Sequence, residues 1–84
     1  MKNGIVHYRN INSFTFVVKL DDETFSVFES PHIDAFKPGD IISGHLDQCG
    51  IYELLNSRTQ KYTLVLIQNV GLNEQMAIDR ANVI

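Results

Sequence analysis

The clearest pattern in the chain lies at residues 13–20, "SFTFVVKL". Phe14, Phe16, Val18 and Leu20 fall on one face, and Ser13, Thr15, Val17 and Lys19 on the other. Side chains alternate across a strand, so this period of two predicts a β-strand with two phenylalanines in the core. Residues 5–8 form a β-rich run before it, separated by "RNINS", whose Asn10, Asn12 and Ser13 can bond their own backbone in a turn. Asp21 to Glu23 turn the chain again. In "TFSVFES", Phe25 and Val27 stand opposite Ser26 and Phe28, so both faces of that strand are expected to be partly covered.

The β pattern then breaks at "SPHIDAFKPGD". Ser30 can cap a helical turn and Pro31 suits its first position, which predicts one turn over residues 32–36 with Ile33 and Phe36 on one side. Lys37 to Asp40 places Pro second and Gly third, the type II turn arrangement in which Gly supplies the positive φ. Residues 40–46 read as a strand interrupted by Gly44, a sign of a bulge or of another backbone close by. "DQCG" turns it into a strand over residues 51–56, and "SRTQ" turns that into "KYTLVLIQNV". Apolar residues at nearly every position of 62–67 predict burial on both faces. After Gly71, Asn73 can cap a helix of about two turns, with Leu72, Met76 and Ile84 against the body. The competing reading ends the chain in a short edge strand at "ANVI".

Short strands and turns at even spacing predict a mostly β fold: a five- to six-stranded antiparallel barrel or strongly curved sheet with a short C-terminal helix. The expected core is Val6, Phe14, Phe16, Val18, Phe25, Val27, Phe36, Ile42, Leu46, Leu54, Leu64 and Leu66. Eighty-four residues form one domain, 1–84, with room for one small core. At about 0.05–0.15 kcal/mol per residue, its stability is on the order of 4–12 kcal/mol. The strand order and size resemble an OB-fold barrel, and "PGDIISGHL" resembles a segment of RNA-binding barrels of that general kind; an Sm- or SH3-like barrel fits the same strands. The resemblance implies architecture, since function rests on sites rather than folds.

Charge narrows the functions. Ten acids against seven scattered bases give a net charge of −3. A duplex-binding protein needs a basic stripe to neutralise phosphates, and an anionic membrane surface calls for the same feature. The single cysteine, Cys49, excludes an internal disulfide and fits a reducing compartment. With no apolar leader at the N-terminus and no run of ~18 apolar residues, the expectation is a cytoplasmic protein outside the membrane.

Candidate chemistry is sparse. His45 and Cys49 stand four apart, but zinc takes about four ligands, and a strand histidine followed by a turn cysteine has no helical face to share. A Cys-His nucleophile would need a base and an oxyanion hole, and nothing near Cys49 marks an activated thiolate. Asp21, Asp22 and Glu23 read as a solvated hairpin turn. No catalytic residue, metal ligand or cofactor is therefore assigned. Tyr8, Arg9, Arg58, Lys61 and Tyr62 remain, since small barrels bind single strands by stacking bases on aromatics over a basic groove. The first expectation is a non-enzymatic binding or assembly module that contacts another protein, or itself, through a strand edge or barrel face. The alternative is single-stranded nucleic-acid binding through those five residues.

Overall fold

Alternating apolar residues close into a barrel in the computed structural model, which describes residues 1–83. Six antiparallel strands form it: β1 (Lys2–Asn10), β2 (Thr15–Leu20), β3 (Phe25–Glu29), β4 (Ile41–Gly44), β5 (Gly50–Asn56) and β6 (Lys61–Leu72). Their order around the barrel is β1-β2-β3-β6-β5-β4, and β1 pairs with β4 to close it. A 3₁₀ turn spans Ile33–Ala35, and helix α1 spans Glu74–Ala81. The predicted architecture, an OB-like small barrel with a C-terminal helix, is the one observed. Ile84 lies outside the described residues.

Two apolar layers hold the fold. The barrel interior contains Val6, Phe16, Val18, Phe28, Phe36, Ile42, Leu46, Leu54, Val65 and Ile67. Phe16 and Phe28 stack at 5.0 Å between centroids, and Phe36 sets its edge against both. Such aromatic pairs contribute about 0.5–1.5 kcal/mol each beyond area burial. The second layer joins the outer faces of β2 and β3 to α1 through Val17, Phe25, Val27, Ala77 and Ala81. Small alanines on the helix let it approach the sheet closely. Val17, read as facing outward with Lys19, is thus fully buried, because the helix covers it.

A bulge in β1 serves the same layer. The register with β2 shifts between Val6 and Tyr8, so two consecutive residues reach the helix. His7 Nε2 lies 2.6 Å from Glu74 Oε2, and Tyr8 Oη donates to Asn82 Oδ1 at 2.9 Å. At the other end of α1 the predicted cap is present: Asn73 Oδ1 accepts from the Met76 N–H at 2.9 Å. Met76, expected against the body, is exposed; Ala77, Ile78 and Ala81 make that contact. The competing strand at the C-terminus is ruled out for the described residues, since Ala81 is helical.

Three expected core residues are not core. Phe14 is 45% exposed because β2 begins only at Thr15. Its backbone adopts φ 54°, a left-handed conformation that breaks the alternation. Leu64 and Leu66 also point outward. β6 follows strict alternation here, with Val65 and Ile67 inside, and among the described residues no layer covers its outer face. Gly44 meets its prediction of close approach: at φ 152°, a Cβ there would lie 2.6 Å from Leu54 Cδ2.

Candidate protein-interaction face and its flanking cleft

The site begins with the register of the β5–β6 hairpin. Its turn at Ser57 to Gln60 sets Asn56 opposite Lys61. Counting back along both strands puts Leu55 opposite Tyr62, Glu53 opposite Leu64 and Ile51 opposite Leu66. Those residues share the outward face. Ile51 is 67% exposed, Tyr62 61%, Leu64 57% and Leu66 41%, so the face is apolar and open together. β3 adds Glu29, opposite Leu66 on the other side, and the chain after it adds Pro31. Glu29, Pro31, Ile51, Leu64 and Leu66 border a shallow hollow of about 190 Å³. Glu29 and Glu53 place two carboxylates beside the apolar stripe.

A larger cleft of about 410 Å³ adjoins it at Leu64. One wall is β6 with Lys61, Tyr62 and Thr63; the other is the 3₁₀ turn with His32, Asp34 and Ala35. The turn begins later than the expected Ser30 cap: His32 is its N-cap and makes no side-chain cap bond, and the Ser30 Oγ accepts from the His32 N–H at 3.2 Å just before it. The wall is braced from behind by two further groups. Arg9 Nη1 donates to the carbonyls of Ile33 and Phe36 at 3.1 and 3.2 Å. Asn56 Nδ2 donates to the Ala35 carbonyl at 2.9 Å.

Asp40 is the hub of this bracing. Its Oδ2 accepts from Asn56 Nδ2 at 2.8 Å, from the Lys37 N–H at 2.9 Å and from Arg58 Nη2 at 3.1 Å, while Oδ1 accepts from Arg58 Nε at 2.8 Å. The Asp40 N–H donates to the Lys37 carbonyl and closes the predicted turn around Gly39 at φ 96°. The Arg58 guanidinium, helped by the Asn56 amide and the Lys37 N–H, lowers the carboxyl pKa of Asp40 from 3.8 to about 2 against the opposing effect of burial. Asp40 in turn raises that of Arg58.

The five residues assigned to nucleic acid are therefore divided. Tyr8 is bonded to the helix end, Arg9 to the 3₁₀ turn and Arg58 to Asp40. Lys61 and Tyr62 are brought together on the cleft. Elsewhere, His45 lies against Tyr52 with ring centroids 5.0 Å apart, while Cys49 Sγ is 3.5 Å from the Gln68 carbonyl. Among the described residues, no group of three or more His, Cys, Asp or Glu converges as metal ligands.

No family model, curated protein or solved structure matches the chain. Its site must therefore be read from its own residues. Among the described residues, no helix is long and apolar enough to cross a membrane.

The residues that sequence reasoning passed over are Ile51, Leu64, Leu66 and Pro31. The signal for them was present. A four-residue turn fixes the hairpin register, and Val65 and Ile67 can fill a single interior only if Leu64 and Leu66 face away.

Proposed function

We propose that this chain is a small non-enzymatic binding module that acts by protein–protein contact through the outer face of β5 and β6. The observation that carries this reading is the cross-strand stripe of Ile51, Leu64, Leu66 and Tyr62, all more than 40% exposed on one face. Scattered surface apolar residues need no explanation, but a contiguous patch rimmed by charge is the feature of an interaction surface. Glu29 and Glu53 supply the rim and favour a partner with basic groups beside its apolar contacts. The broader expectation of a strand edge or barrel face becomes specific here, because the barrel is closed over most of its circumference.

Single-stranded nucleic acid is the second reading, supported by exposed Tyr62 beside Lys61. It ranks lower because Tyr8, Arg9 and Arg58 are engaged in internal bonds. The test is selection of a displayed random-peptide library on the immobilised chain, with labelled oligonucleotides titrated in parallel at low salt. Peptides that bind the native chain and lose at least about tenfold affinity (about 1.4 kcal/mol) to Ile51→Asp or Leu64→Asp support the protein reading. Oligonucleotide binding that falls with Lys61→Ala, without any peptide binding, overturns it. Self-association, seen as sedimentation mass rising with concentration and abolished by Leu64→Asp, would make a second copy the partner.

A further inference from the structure

The apolar stripe does not account for the cleft beside it, and the main chain of β6 does. β6 is twelve residues long. β3 meets only its second half, with pairing from Leu66 to Leu72. β5 meets the first half, from Lys61 to Ile67. Over residues 61–65, no strand among the described residues lies against the side of β6 turned away from β5.

Alternation of hydrogen-bonding direction identifies the groups left on that side. The Ser57 N–H donates to the Ile41 carbonyl, so residue 57 turns its main chain towards β4. Leu55 and Glu53 do the same, and Leu54 and Asn56 turn theirs towards β6. Their partners there are Thr63 and Lys61, which turn back towards β5. Tyr62 and Leu64 consequently direct their N–H and C=O groups into the open cleft. The Ser30 hydroxyl, 3.5 Å from the Leu64 carbonyl, lies on the side this predicts. Among the described residues, no side-chain or turn hydrogen bond reaches the Tyr62 N–H, the Tyr62 C=O or the Leu64 N–H.

We infer that this cleft receives an extended polypeptide segment of another protein, which adds to the Tyr62–Leu64 edge in the line that β3 leaves at Glu29. The inference rests on the protein-binding reading and names the partner's conformation. Main-chain groups in this alternating array recognise another extended main chain, and the neighbouring apolar pockets read every second side chain. The partner segment alternates apolar residues, which cover Leu64 and Leu66, and carries a basic residue to meet Glu29. The 3₁₀ turn with His32, Asp34 and Ala35 forms the far wall of a slot of about 410 Å³. The corresponding edge of a second barrel would bring its own 3₁₀ turn into the same space.

The probe is the tightest peptide from the library selection, rebuilt as a series with one backbone N-methyl group moved along it. Strand addition predicts a period of two. N-methylation at alternate positions weakens binding at least about tenfold, and the positions between change it less than about twofold. At saturation, the Tyr62 and Leu64 amide protons gain protection from hydrogen exchange. Two results overturn the inference while leaving the protein-binding reading intact. One is affinity sensitive to Ile51→Asp but flat across the N-methyl series. The other is unchanged exchange at Tyr62 and Leu64. If the library yields no peptide sensitive to either stripe variant, both the reading and the inference fall.

Discussion

Replacing Asp40 by Asn removes one charge and almost no volume, so the pH-dependent part of its effect reports the charge in the network that braces the cleft wall. The four donors around Asp40 leave no good orientation for an amide. If the Asn oxygen takes the place of Oδ2, it keeps Asn56 Nδ2, the Lys37 N–H and Arg58 Nη2, and its NH₂ group then faces Arg58 Nε. The reverse orientation faces an NH₂ with three donors. The magnitude follows from the carboxyl pKa, 3.8 in an open chain and about 2 in the fold. At ~1.36 kcal/mol per pKa unit, the charge stabilises the fold by about 2.4 kcal/mol at neutral pH. Arg58 is 46% exposed, so solvent screening reduces the realised value to about 1–2 kcal/mol.

The sign is fixed by the lowered pKa. The contribution is complete above the unfolded value, near pH 4, and is lost as pH falls through the folded value, near pH 2. Before screening, linkage leaves about 1.3 kcal/mol at about pH 3 and about 0.4 kcal/mol at about pH 2. Urea unfolding of native chain and Asp40→Asn at a series of pH values measures this directly, because subtracting the two curves cancels the other carboxylates. The difference should be about 1–2 kcal/mol at pH 7 and fall by about half near pH 3. A difference that is flat with pH, or one that grows on acidification, would refute the assigned hub.

Four other substitutions test the packing and the helix cap. Phe36→Ala should cost about 3–5 kcal/mol by removing a fully buried ring from the aromatic cluster, whereas Phe14→Ala should change stability by less than ~0.5 kcal/mol; denaturant midpoints compare them. Gly44→Ala should cost about 1–3 kcal/mol, since its Cβ would lie 2.6 Å from Leu54 Cδ2 at a backbone angle that disfavours side chains, and thermal unfolding reads the loss. Asn73→Ala should weaken α1 by about 1 kcal/mol, seen as faster amide exchange in the helix before the barrel strands respond.

Most of the barrel could be read from the chain because its signals are local. Phe16, Val18 and Leu20 alternate; Gly39 sits where its turn needs a positive φ; Asn73 precedes a helix it caps. The errors arise where covering is decided by distant elements. Val17 is buried only because α1 returns from the far end of the chain, and the tyrosine and two arginines read as a patch had partners that only the fold supplies. Asp40 and Arg58 are eighteen residues apart and met through two turns, so no spacing rule pairs them.

The same distinction explains the candidate site. A continuous apolar run such as "YTLVLI" suggests burial on both faces, yet the described residues supply one α-helix with which to cover the outside. That helix lies over β2 and β3, where Val17, Phe25 and Val27 project outward. The outer face of β5 and β6 is left with apolar residues of the same kind and no cover from the described residues. Uncovered apolar surface and unpaired main-chain groups both carry a cost in water and in the cell, through aggregation at open edges. Here the two occur on one strand, with the edge groups sheltered inside a cleft whose wall is held by Arg9, Asn56 and the Asp40–Arg58 pair. A wall that only filled space would not need to stand away from the strand. The proposed strand addition gives that wall a role: it leaves the edge open to one extended segment and hinders stacking of whole barrels.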